Sequence, residues 1–178
     1  MICKLSNIRF YAMKPEPEAH KSSVNRRLAE SLYANKDAII EEWLDRVRND
    51  PTIRTGTLTT DAIKNHLPQL FDDLTETLRR YGSEAVAEQA AKDAGGHGTT
   101  RWRQGYDLTE MLHEIKHLRA ILIYHLRVFE EQNQDFGLSE RLFVSTVLHA
   151  FLDDLVIDAT SNFLNEGGGK LSDVPLRL

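Results

Sequence analysis

From Asp107 to Glu131 the chain reads DLTEMLHEIKHLRAILIYHLRVFEE, and its apolar residues recur at intervals of three and four. Leu108, Met111, Leu112, Ile115, Leu118, Leu122, Leu126 and Phe129 form one face, which Ile121, Tyr124 and Val128 widen. So broad a face needs neighbours on two sides, which predicts a central helix inside a bundle. Its start is also marked. Asp107 can accept from the first turn and Glu110 can reach back, a capping-box pattern with Asp in place of Ser or Thr.

The other segments repeat the same period. A helix is expected from about Ser23 to Leu32, and a second over KDAIIEEWLDRVRND, where Ile39, Ile40, Trp43, Leu44 and Val47 share a face until Pro51 ends it. TIRTGTL reads as a loop, after which Thr59 or Thr60 caps a stripe of Ile63, Leu67, Leu70, Phe71, Leu74 and Leu78. Pro68 inside that stripe predicts a kink, or a helix start close to it. The alanine-rich SEAVAEQAAKDA suits another helix, and GGHG at 95–98 reads as an interruption. A last helix is expected over roughly 139–165, with Leu142, Leu148, Phe151, Leu152, Leu155, Ala159 and Phe163 on its apolar side and glycines 167–169 closing it. No segment alternates as a strand does. The fold expected is all-α, a bundle of four to six helices, with globin-like packing as one variant and a long C-terminal helix. Residues 1–20 read as a flexible arm, 21–166 as the helical domain with its last helix over 138–166, and 167–178 as a flexible tail.

Charge narrows the function classes. A net charge of −5 over 178 residues offers little to nucleic acid or to an anionic membrane surface. The N-terminus lacks the apolar run of a signal peptide, and no stretch approaches a membrane span. With Cys3 as its one cysteine the chain forms no internal disulfide, and the reading is cytoplasmic.

The candidate chemistry is sparse. HEIKH places His113 and His117 four apart on one helical face with Glu114 between them, as a zinc hydrolase would. The context argues otherwise, because Lys116 brings positive charge between the ligands and no third ligand follows at usable distance. His125 and His149 flank core positions and could serve haem, but a hydrogen-bonded structural role is the plainer reading, and no CxxCH occurs. No phosphate-binding glycine loop or nucleophile triad is present, so no catalytic residue and no cofactor is expected; zinc or haem on His113 and His117 is the alternative. GGHGTTRWRQGYDLTE differs from the rest. Its glycines surround His97, Arg101, Trp102, Gln104 and Tyr106, a polar and aromatic turn suited to a ligand or partner site.

HGTTRWRQGYDLTEMLHEIKHLRAIL resembles the HG–R–QGY–L–E–LR signature of the RsbRD-type N-terminal domain, found in RsbT co-antagonists and in sensor histidine kinases. IIEEWLDRV before a proline and LPQLFDDL match earlier landmarks in order, and LHAFLDDLVIDATSNFL is similar to the helix leading to the transmitter of such kinases. The resemblance spans roughly residues 36–165 and implies a sensory input domain of a two-component or stress-response protein, with 138–166 as signalling helix. The resemblance implies a role without a defined ligand, and a downstream signalling domain or protein as partner. A homodimer is expected because one face of the last helix can pair with itself across a two-fold axis, and an unidentified small-molecule signal would belong to the glycine-lined turn. The phosphorylation and ATP-binding segments of a kinase do not occur here, so this chain is expected to be no enzyme, whatever kinase a longer parent carries. The family usually has a carboxylate and an aromatic where His113 and His117 stand, and the arm 1–20 has no counterpart in it.

Overall fold

The structure, a computed structural model, describes residues 18–64, 66–80 and 96–167, and within them it is all-α. Five long helices are α1 (Glu18–Ala34), α2 (Lys36–Asn49), α4 (Leu67–Arg80), α6 (Leu108–Gln132) and α7 (Leu138–Glu166). Two short ones are α3 (Thr60–Lys64) and α5 (residues 96–103). Most of the expected arm, the alanine-rich segment 83–94 and the tail from 168 lie outside the described residues. Helix α1 starts before Ser23, at Glu18.

Helix α6 lies among α1, α2 and α7, while α4 packs on α1 and α7. The shared core is the stripe expected of each helix: Ile39, Ile40, Trp43, Leu44 and Val47 from α2, Leu67, Leu70, Phe71, Leu74 and Leu78 from α4, and Met111, Ile115, Leu118, Ile121, Leu122, Leu126 and Phe129 from α6. Two apolar residues depart from expectation. Tyr124 and Leu142 are 55% and 56% exposed. Each stands two positions from a core residue, Leu122 and Val144, and is therefore turned about 200° away from it round the helix.

The break between α3 and α4 is set by Pro68, in the first turn of α4. In one continuous helix its ring would clash with the carbonyl of Lys64 and no N–H would be there to bond it. The chain therefore starts a new helix, as one of the two readings of Pro68 required. The cost is a five-residue helix, α3, whose last carbonyls need donors from elsewhere.

The glycine-rich segment corrects an expectation. Residues 96–103, taken as a turn, are helical. The glycine at 98 serves proximity instead of a turn: a Cβ there would stand 2.0 Å from the carbonyl oxygen of Ala159 on α7. Hence α5 and α7 touch backbone to backbone. The true turn comes later, at Gly105, where φ is +79°. There Gly105 N–H donates to Trp102 O at 3.0 Å and Tyr106 N–H to Arg101 O at 3.1 Å, the paired bonds of a Schellman cap. Asp107 follows at once as N-cap of α6. Its side chain accepts from Glu110 N–H at 2.9 Å, and Glu110 Oε2 accepts from Asp107 N–H at 2.7 Å. A helix stop at Gly105 and a helix start at Asp107 thus stand two residues apart, and they fix the angle between α5 and α6.

Gly98→Ala puts a methyl group into the Ala159 carbonyl, and the backbone cannot yield as a side chain would. Urea unfolding of this variant should show a loss of about 1–3 kcal/mol or more; unchanged stability would mean that α5 does not press on α7.

Candidate functional site

The deepest polar group in the described fold is Arg101, whose side chain is fully buried. From α5 it reaches three places. Nε donates to Glu114 Oε2 on α6 at 2.6 Å. Nη1 donates to Ala62 O at 3.1 Å and Nη2 to Ile63 O. Those two carbonyls belong to the last turn of α3, so the guanidinium caps the helix that Pro68 cut short. Nη1 also donates to Gln104 Oε1 at 2.7 Å, while Gln104 Nε2 donates to Ala62 O at 3.0 Å. A planar fork with several fixed donors suits this task, whereas a lysine offers one point charge.

Glu114 joins the network from the other side. Its carboxylate is fully buried, and Oε2 lies 3.4 Å from His97 Nε2. Its backbone carbonyl accepts from Trp43 Nε1 at 3.0 Å, which brings in α2. The Arg101 guanidinium stands 5.1 Å from the centre of the Tyr106 ring, close enough for a cation–π contact. Glu114 Oε1 and the Tyr106 hydroxyl are buried without a hydrogen-bond partner among the described residues. Burial, together with the nearby Glu114 charge, pushes the Tyr106 phenol well above its ordinary range, so it stays neutral. Burial likewise pushes His97 below its ordinary value of 6.5, so its ring is neutral at pH 7. A cavity of about 10 Å³, room for one water, lies between His97, Glu114 and the apolar walls of Trp43, Leu67, Leu70, Ile115, Leu118 and Leu155.

Four of the five residues singled out from the sequence therefore meet: His97, Arg101, Gln104 and Tyr106. Trp102 does not. It is 39% exposed and points to the end of α7, where a Cβ on Gly167 would stand 3.1 Å from its indole nitrogen. The residue that sequence reasoning missed is Glu114, considered there only as the residue between His113 and His117. A signal was present, because Met111, Glu114, Leu118 and Ile121 follow the three-and-four spacing of the buried face.

A second polar group ties the loop after α2 to the same stretch of α6. Arg54 donates to Glu110 through its backbone N–H at 2.8 Å, Nε at 2.7 Å and Nη2 at 2.8 Å. These bonds, Arg54 Nη2 and Nε foremost, hold the Glu110 carboxyl at about 2. His113 and His117 face Asp50, the residue after α2. His117 Nε2 lies 2.7 Å and His113 Nδ1 3.4 Å from Asp50 Oδ2. Among the described residues no group of three or more His, Cys, Asp and Glu side chains is placed to hold a metal ion. His125 Nε2 lies 3.5 Å from Glu42, and His149 is exposed on α7, so the two share no site.

Removing one partner of a buried ion pair leaves the other charge stranded. Arg101→Ala should lower unfolding free energy by about 3–5 kcal/mol. Arg101→Lys should lose an intermediate amount, because one ammonium cannot serve Glu114, Gln104 and two carbonyls together. Denaturant titration followed by circular dichroism reads both; a loss under about 1 kcal/mol for Arg101→Ala would place the guanidinium in solvent.

No curated protein and no solved structure matches the chain. A family model does: the RsbT co-antagonist protein rsbRD N-terminal domain matches residues 37–166, from the start of α2 to the end of α7. The match includes Arg101, the Gly105 cap, the Asp107–Glu110 box and Glu114, and it covers well over half of the chain. The chain belongs to the family of RsbT co-antagonist rsbRD N-terminal domains.

Proposed function

We propose that this chain is a non-catalytic input domain of a bacterial signal-transduction protein, either a stressosome-type regulator or a sensor histidine kinase, and that it relays its signal by helix movement. The observation that carries the reading is the buried Arg101–Glu114 pair at the meeting point of α3, α5 and α6, with Glu114 Oε1 left without a hydrogen-bond partner among the described residues. An unpaired buried carboxylate oxygen is costly, so the corner gains from any group that donates to it. In the conformation described, the cavity beside it admits no more than a water. A larger signal molecule must displace α5, and α5 rests on the Ala159 carbonyl of α7. Movement at the corner is thereby handed to the signalling helix.

Packed helices shift between discrete arrangements by about 1–2 Å. A signal selects one arrangement only if it binds that arrangement better. The output would be an effector domain or protein downstream of α7, with a second copy of the chain as neighbour. Leu138, Leu142 and Ile157 on α7 are exposed apolar side chains that a second copy of the chain could cover. We take the protein to work in the cytoplasm, beside the effector it drives. Among the described residues no helix is long and apolar enough to cross a membrane.

Spin labels at Lys116→Cys on α6 and Asn165→Cys on α7, in a Cys3→Ser background, report the relative position of the two helices. Glu114→Gln removes the charge that holds Arg101 and should move the distance by about 1–2 Å or add a second population. A folded Glu114→Gln protein with one unaltered distance would refute the relay.

A further inference from the structure

We propose that Trp102 and Arg103 form a clasp by which α5 holds the last turn of α7, so that a displacement of α5 releases the end of that helix. The consequence for signalling rests on reading α7 as the output helix, whereas the contact itself does not.

The end of α7 is poorly built to hold itself. Its final residues read TSNFLNE before Gly167, and Thr160, Ser161, Asn162 and Asn165 are weaker helix formers than alanine or leucine. No basic residue stands in the last turn to offset the partial negative charge of the terminal carbonyls, and Glu166 adds to that charge. Gly167 follows at φ −72° and ψ −1°, a right-handed conformation, so no left-handed cap closes the helix there. Phe163 is the last buried side chain of α7.

Helix α5 supplies what is missing. Arg103 Nη2 donates to Glu166 Oε1 at 3.3 Å, which brings a cation from another helix to an end that has none of its own. Trp102 lies against Gly167. A Cβ there would stand 3.1 Å from the indole Nε1, tighter than an ordinary contact, so it is the bare glycine that seats the ring. Leu164 O lies 3.5 Å from the same point, which puts the indole at the carbonyl end of α7.

The two helices interlock in opposite senses. Gly98 on α5 admits the Ala159 carbonyl of α7, and Gly167 after α7 admits the Trp102 indole of α5. Gly98 and Trp102 are four residues apart and share one face of α5. Ala159 and Gly167 are eight apart, about 12 Å along α7. Helix α5 therefore lies as a strap along the last two turns of α7. Between its two points of contact stands Arg101, turned the other way into the Glu114 pair. With only residues 96–103 to its length, α5 moves as one piece, and a change at Arg101 reaches Trp102 and Arg103 directly.

The test is amide hydrogen exchange of the full chain, resolved over residues 160–167 and, for comparison, over residues 144–156 of the same helix. Trp102→Ala should speed exchange at the end of α7 by about tenfold and leave residues 144–156 unchanged. Arg103→Gln should speed it by about two- to fivefold at low salt, and by less at high salt. Trp102→Phe, which keeps a ring against Gly167, should recover most of the protection. Unaltered exchange at residues 160–167 in folded Trp102→Ala would overturn the clasp, as would a rise spread evenly over the whole of α7. Either result leaves the relay to its own test, the distance between labels at 116 and 165 in Glu114→Gln.

Discussion

One buried guanidinium sets the terms for the centre of this fold. Arg101 has no exposed surface, and its donors are divided among a carboxylate on α6, two carbonyls ending α3 and the Gln104 amide. Burying such a charge is tolerable only with this degree of pairing. The need for it arises further back in the chain. Pro68 forbids a continuous helix from α3 into α4, α3 is left too short to manage its own carbonyls, and Arg101 takes them up. The chain then has to bring α5 within reach of α3 and α6 together.

Two local devices make that placement. At the front of α5, Gly98 removes the side chain that would otherwise hold it off α7. At its end, Gly105 takes the left-handed conformation and Asp107 caps the next helix two residues later. Nothing between the two helices is slack. The family signature through this region consequently reads as mechanical parts: an arginine that is buried, a glycine that stops a helix, a carboxylate pair that starts one and a glutamate that receives the arginine. Among the described residues the polar groups at the corner are fewer than a fully satisfied network requires, since Glu114 Oε1 and the Tyr106 hydroxyl have no hydrogen-bond partner there. Buried networks with such gaps are where alternative arrangements cost least.

Much of this was legible in the sequence, for reasons that differ by element. The long helices declare themselves because one face of each is apolar over several turns, and the Asp107 box because its two partners sit three residues apart. Helix α5 was misread. Gly96 and Gly98 look like a turn when only neighbours in sequence are considered, whereas the reason for Gly98 is a carbonyl on α7. Glu114 was visible as a charged residue on the buried stripe, but its partner lay beyond any local pattern. Asp50 resembled an ordinary helix end, and its convergence on His113 and His117 depends on how α2 crosses α6. Exposed Tyr124 and Leu142 show the limit of period reading: a widened stripe does not say which of its edges finds a neighbour.

The claim on which the account turns is that Arg101 and Glu114 act as one unit. A double-mutant cycle with Arg101→Met, Glu114→Gln and the pair together measures this directly, by equilibrium unfolding of the whole chain. The account predicts a coupling of about 2–3 kcal/mol, because the second substitution removes a charge that the first has already stranded. Single effects that add to within about 0.5 kcal/mol would contradict it, and would mean that the two side chains stabilise the fold independently.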